Sequence, residues 1–174
     1  GDQNDIITLG AAGQTIYGQN NGDTVVVDEF TIAGGSVIDG GSGSDTLAIT
    51  GGGSINLVAL TNVTSFEEIR TGTTALTNLT LKNTGYQVSV EGGANHVINA
   101  TTNTGADDTF TFDNNLAQDL WEGAAVTINQ FSQGNDILDL GLLGIQTYLE
   151  EFGDRPLADA ALSGGTRQAV FDSA

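Results

Sequence analysis

Residues 37–48 read VIDGGSGSDTLA. From Gly40 onward they fill the nonapeptide GGxGxDxUx, with U a large aliphatic residue, a repeat that builds Ca²⁺-binding parallel β-helices. Its first six residues make a tight turn, in which Gly41 and Gly43 admit positive φ because they carry no Cβ. Such a turn leaves backbone carbonyls exposed. Asp45 sends its carboxylate into the same concavity, and the residues after it form a short strand with Leu47 facing inward. Carbonyl and carboxylate oxygens are the hard donors that Ca²⁺ takes.

The period recurs. Asp5 precedes Ile7 by two places, as Gln14 precedes Ile16, Asp23 precedes Val25 and Ser36 precedes Ile38. Successive members lie nine residues apart, except that thirteen separate Asp23 from Ser36. The four extra residues are expected to extend the strand from Val25 to Phe30. In a roll with two turns per coil, Asp5, Asp23 and Asp45 stack on one side and Gln14 and Ser36 on the other. The first side is then a Ca²⁺ ladder with two sites between three turns, and the second has no carboxylate and no metal. Around Asp23, Gln19 and Asn21 stand where Gly41 and Gly43 stand one coil later. Asn tolerates positive φ, Gln much less. The alternative for each turn is an ordinary β-turn with Asp at a favoured position.

Further along, Asp108 precedes Phe110 in TGADDTF and Asp136 precedes Leu138 in QGNDILDL. Both are candidate ligands, and an Asx turn before a strand explains either equally well. GGANH has the glycines without a carboxylate in phase, so it reads as a metal-free turn that includes His96. Short β-branched runs at 24–27, 47–50, 79–81, 87–90, 96–98, 109–112 and 126–128, separated by Gly or Asn, predict an all-β chain. The coil period favours a parallel β-roll or β-solenoid over an antiparallel sandwich. Leu57, Leu60, Val63, Phe66 and Ile69 recur every third residue, which fits a short helix, a 3₁₀ segment or an irregular rung. LLGIQTYLEEF at 142–152 predicts an amphipathic helix that caps the solenoid. The expected organisation is one continuous domain: a degenerate calcium roll over 1–50, an irregular solenoid over 51–104 and a capped β region over 105–174.

On these motifs the chain resembles RTX-type, hemolysin-type calcium-binding proteins of bacteria, which leave the cell by type I secretion. The specific likeness covers residues 1–50. INLVALTNVTSFEEIRTGTTALTNLTL is similar to solenoid segments of large RTX adhesins and S-layer proteins. GADDTFTFDNN and VTINQFSQGNDILDL are similar to C-terminal regions of such secreted proteins. The resemblance implies folding outside the cell on Ca²⁺ binding, with Asp5, Asp23, Gly41, Gly43, Asp45, Asp108 and Asp136 as the metal-site residues. One complete nonapeptide is too few for a long uninterrupted roll. Methionine is absent, position 1 included, and Gly1 falls inside the Asp5 turn, so a parent that continues upstream is expected; QAVFDSA suggests continuation downstream.

Charge points the same way. There are 22 acidic residues against 4 basic ones, a formal net charge of -18. Bound cations relieve the self-repulsion of such a fold. This balance disfavours nucleic acid and anionic membrane surfaces as partners, and no apolar run approaches the ~18 residues of a membrane span. Without cysteine there is neither a disulfide nor a thiolate metal site. His96 is the sole histidine, which rules out an HExxH zinc site, and no serine lies in a GxSxG elbow. GGSGSD lacks the lysine of a phosphate-binding loop. The acidic pairs Glu67/Glu68, Asp107/Asp108 and Glu150/Glu151 are adjacent in sequence, so on strands they point to opposite faces rather than forming catalytic dyads. Two readings follow, neither enzymatic: a structural or adhesive segment of a secreted surface protein, or the calcium module of a type I-secreted hydrolase whose catalytic domain is elsewhere. The expected partners are calcium ions, and further copies of the chain or an extracellular ligand.

Overall fold

The computed structural model describes residues 3–74, 76–91, 95–100, 107–112, 126–131 and 136–139. Within them the chain winds as a parallel β-solenoid. One sheet runs its length and contains β1 (Ile6–Thr8), β3 (Thr24–Val27), β5 (Thr46–Ile49), β8 (Glu68–Thr71), β10 (Gln87–Val90), β12 (Thr109–Phe112) and β14 (Ile137–Asp139). The other wall changes along the axis. Early coils use a three-stranded sheet of β2 (Thr15–Tyr17), β4 (Val37–Asp39) and β7 (Val63–Thr64). Later coils use a four-stranded sheet, β6 (Gly53–Asn56), β9 (Leu76–Thr80), β11 (His96–Asn99) and β13 (Val126–Asn129). The helix expected at 142–152 lies outside the described residues.

The aliphatic position of the repeat builds the core. Strand register stacks Ile7, Val25, Leu47, Ile69, Val88, Phe110 and Leu138 in one inward column. The interior members are 0–1 % exposed, whereas Ile7 and Leu138 at the ends are only partly buried. Burying such a side chain contributes about 1.5–3 kcal/mol, and each rung relies on its neighbours to do so. The period-three run at 57–69 is a rung of the solenoid and not a helix. Leu57, Val63, Phe66 and Ile69 are buried, with Leu60 packed against them. The N–H groups of Ala59, Leu60 and Val63 bond the carbonyls three residues back, which makes tight corners between β6 and β7.

The four extra residues after Asp23 do not lengthen a strand. β3 stops at Val27, and Glu29–Ala33 forms a helix, α1. The cause is Asp28: its carboxylate accepts the Thr31 N–H at 2.7 Å while Thr31 Oγ1 accepts the Asp28 N–H at 3.0 Å, a reciprocal capping box. The Thr31 N–H, helped by the Thr31 hydroxyl, holds the Asp28 carboxyl below its ordinary pKa. α1 then packs on β6, where Glu29 Oε1 accepts the Ser54 N–H at 3.1 Å. At the other limit of the handover between the two minor sheets, Lys82 Nζ donates to the Val63 carbonyl of β7. Each opening sheet edge is thus met by a charge of the right sign: a carboxylate on an N–H and an ammonium on a C=O. Charged side chains at strand edges also discourage pairing with other chains.

Candidate functional site

The predicted separation of sides is present. β1, β3 and β5 share one sheet while β2 and β4 share another, so Asp5, Asp23 and Asp45 align at one corner and Gln14 and Ser36 at a different one. At the acidic corner each carboxylate accepts the backbone N–H of the residue one coil earlier. Asp23 Oδ1 takes the Asp5 N–H at 2.8 Å, and Asp45 Oδ1 takes the Asp23 N–H at 2.7 Å. The series continues through a residue that the motif search missed: Glu67 Oε2 takes the Asp45 N–H at 2.8 Å. Tyr86 occupies the next ladder position, and its N–H goes to Asp108 Oδ1 at 2.7 Å; the Asp108 N–H goes to Asp136 Oδ1 at 3.0 Å. The signal for the missing members was spacing. Asp23 to Asp45, Asp45 to Glu67 and Tyr86 to Asp108 are each 22 residues, one full coil.

The backbone of turn 18–23 copies that of turn 40–45 despite its different residues. Gln19 and Asn21 adopt φ of 81° and 73°, matching the positive φ of Gly41 (104°) and Gly43 (149°). A left-handed Gln costs about 1–2 kcal/mol, so the surrounding stack imposes this conformation. The two turns lie directly on one another. A Cβ on Gly41 would come 2.3 Å from the Gln19 oxygen, and one on Gly43 2.1 Å from the Asn21 oxygen. Here glycine is required twice, for its φ and for the close approach.

Each ladder aspartate has a second oxygen. Asp23 and Asp45 are 1 % and 0 % exposed, and the Oδ2 of each is buried without a hydrogen-bond partner. Around Asp23 the geometry is specific. The point a Cβ would occupy on Gly18 lies 2.5 Å from Asp23 Oδ2 and 2.1 Å from the Gly40 carbonyl oxygen. Those distances leave no room for a Cβ, so glycine at 18 is what lets the Asp23 carboxylate and the Gly40 carbonyl close on its Cα. One coil on, the corresponding point at Gly40 lies 2.0 Å from the Ser65 oxygen and 3.0 Å from Asp45 Cγ. Burial drives the Asp45 carboxyl above its ordinary pKa; the Asp23 N–H opposes the shift, and the charges of Glu67, Asp23 and Asp39 reinforce it. A buried acceptor without a donor costs roughly 1–3 kcal/mol, more when charged. A cation would relieve these two oxygens, and carboxylate oxygen is a donor that Ca²⁺ takes. A cage of several acidic side chains is not the arrangement: among the described residues no three His, Cys, Asp or Glu side chains group to hold a metal.

The neutral corner performs the same task without a leftover acceptor. Ser36 Oγ accepts the Gln14 N–H at 3.3 Å and donates its own proton to the Thr31 carbonyl at 2.7 Å. Asp108 is 2 % exposed, and burial, with the charges of Asp136 and Asp107, pushes it up to about 6 against the Tyr86 N–H. The turn residues 101–106 and 132–135 beside Asp108 and Asp136 lie outside the described residues. His96 corrects the expectation of a turn residue: it is the first residue of β11 and 1 % exposed. Its Nδ1 accepts the Leu76 N–H at 3.3 Å and its Nε2 donates to the Glu91 carbonyl at 3.2 Å. Those partners select the neutral imidazole, and burial lowers its pKa.

Comparison with known proteins gives no match to a family model, to a curated protein or to a solved structure. What the site can do therefore rests on its own geometry.

Proposed function

We propose that this chain is a calcium-braced β-solenoid segment with a structural or adhesive role in a secreted bacterial protein of the RTX type. The observation that carries the proposal is the pair of buried ladder carboxylates, Asp23 and Asp45, each with an Oδ2 that has no hydrogen-bond partner. Asp23 and Asp45 would hold the ions through these oxygens, with carbonyls of the stacked turns completing the shell. Gly41 and Gly43 let the turns approach closely enough to bring these oxygens together. Bound Ca²⁺ supplies charge neutralisation for oxygens that have no donor, and its binding energy adds to folding, because no such site exists in the unfolded chain. The complete nonapeptide at 40–48 and the net charge of -18 support the same reading. No chemistry is assigned to any side chain; the expected role is a stiff extracellular spacer or presenting surface.

Thermal unfolding followed by far-UV circular dichroism tests this in chelator and across a Ca²⁺ titration, with Mg²⁺ as control. We expect a rise in Tm that saturates with Ca²⁺ and is much smaller with Mg²⁺, which gives up its waters reluctantly. The same spectrum and Tm in chelator and in saturating Ca²⁺ would overturn the proposal.

A further inference from the structure

The four-stranded sheet contains a break in register. β6 pairs Gly53 with Leu76 but Ser54 with Asn78, so β9 carries one more residue than its partner there. On its other edge β9 joins β11 through Leu79↔Ile98 and Thr80↔Asn99. Leu76 stands three residues before Leu79 and His96 two before Ile98, so the strands are out of step where β9 begins. An extra residue of this kind disrupts the ladder locally, and the backbone there needs a partner from elsewhere.

His96, the only histidine of the chain, fills that role. Its Nδ1 accepts the Leu76 N–H, where a strand carbonyl would serve in a regular sheet, and its Nε2 donates to the Glu91 carbonyl. Glu91 is itself held to the long sheet, since its N–H goes to Thr71 Oγ1 at 3.0 Å. One ring therefore ties the start of β9 to β11 and, through Glu91, to the end of β8. The strands it joins bring apolar residues to this level. Leu76 and Leu79 of β9, Val90 of β10, Ile98 of β11 and Val126, the register partner of His96 on β13, are all buried. The charged groups on the same elements are Glu91, partly buried, and the Glu68–Arg70 pair of β8, which engage each other at 3.2 Å.

We propose that His96 is an acid-sensitive latch at this break: the neutral ring closes the start of β9 onto β11, and its protonation frees that start while the early coils stay wound. Nδ1 accepts only while the ring is neutral; in the imidazolium both nitrogens are donors. Protonation therefore sets Nδ1–H against the Leu76 N–H inside a buried site. Either the ring leaves or the strand opens, and histidine is the side chain that makes this change between pH 5 and 8. Local opening of one segment below the cost of global unfolding is ordinary behaviour for a folded chain. Asp45 and Asp108, whose carboxyls burial raises, gain stability as pH falls, so they do not loosen the fold over the same range. None of the latch contacts involves Asp23, Asp45 or Glu67, so the inference does not rest on the calcium reading.

Amide hydrogen exchange on the full ¹⁵N-labelled chain tests this between about pH 7.5 and 5.5, after correction for the intrinsic effect of pH on exchange. Ca²⁺ is present throughout, so the result is the same whether or not the chain needs the ion. We expect protection of the Leu76 N–H to fall about tenfold per pH unit below roughly 6.5, the signature of one proton taken up on opening. The Thr24 and Thr46 N–H groups, bonded to Asp5 and Asp23 carbonyls in the early coils, are expected to hold their protection. Imidazole ¹⁵N shifts of the single histidine should show the neutral Nε2–H tautomer at the upper end of the range. A charged ring or an Nδ1–H tautomer there, or the same pH response at Leu76 as at Thr24 and Thr46, would overturn the proposal on the unmodified chain alone. His96→Gln keeps an acceptor and a donor without a titratable ring and is expected to hold Leu76 protected across the range. A folded His96→Gln protein with the parent's pH response would overturn the proposal as well.

Discussion

Two corners of this solenoid solve one problem with different side chains. At both, a side-chain oxygen accepts the N–H of the residue one coil earlier: Asp45 Oδ1 for Asp23, and Ser36 Oγ for Gln14. Ser36 completes its bonding by donating to Thr31. Asp23 and Asp45 cannot, because an ionised carboxylate has no proton to give, so each retains a buried oxygen without a partner. Serine would have sufficed for the architecture. The difference teaches that the ladder's hydrogen bonds explain an oxygen at this position, but not a carboxylate.

The sharpest way to break that comparison is Asp23→Asn. The variant keeps the Oδ1 acceptor for the Asp5 N–H and replaces the partnerless oxygen by an amide nitrogen, which is no acceptor. In chelator it is expected to be more stable than the parent by about 1–2 kcal/mol, since a buried unsatisfied acceptor is removed. In Ca²⁺ at about a hundred times its dissociation constant, the parent gains roughly 2.7 kcal/mol per site that this variant loses. Denaturant melts in both conditions should therefore rank the two proteins in opposite orders; the same order in both would remove the reason for assigning a cation to Asp23.

Next comes the pH dependence of the later rungs in chelator. Asp108 titrates in the folded protein at about 6, above its ordinary carboxyl value. Its contribution is fully present below about pH 4 and is lost as pH rises through 6, an upper limit of about 3 kcal/mol for a buried group. Asp108→Asn should flatten this part of the stability profile. His96 runs the other way: its depressed pKa means its contribution is present above the ordinary histidine value and lost as pH falls. With Asp108 replaced, the descent above pH 4 measured by urea denaturation should shrink to the part left by Asp45, which burial also raises; an undiminished descent would show that Asp108 was not its cause.

A smaller effect belongs to the neutral corner. Ser36→Ala strips the Gln14 N–H of its acceptor and should cost about 1 kcal/mol, equal in Ca²⁺ and in chelator. A calcium-dependent cost would mean that this corner also holds an ion. Smallest of all, Gln19→Gly relieves a left-handed side chain at the price of unfolded-state entropy, for a net gain of about 0.5–1 kcal/mol in Tm or denaturant measurements. Loss of stability instead would show that the Gln19 side chain contributes contacts that outweigh its strain.

Much of this was legible in sequence because both codes are local and periodic. The nine-residue phase of Asp5, Gln14, Asp23, Ser36 and Asp45 with their aliphatic partners specified parallel stacking, and even which residues share a corner. The strands at 24–27, 87–90 and 109–112 have the bounds their β-branched runs predict. Glu67 and Tyr86 were hidden because neither matches the nonapeptide; only the 22-residue coil length links them to the ladder. α1 was missed because Val25–Phe30 has strand composition, and a capping box between two residues, Asp28 and Thr31, outweighs it. His96 looked like part of a glycine-rich turn, but its ring bridges two backbone segments that sequence cannot bring together.

By itself, then, the sequence determined the parallel winding, the aliphatic column and the separation of acidic from neutral corners, since each follows from spacing along one chain. Tertiary structure alone decided what the acids lack. Whether a carboxylate oxygen has a partner depends on the coil stacked above it, and there the Oδ2 atoms of Asp23 and Asp45 find none.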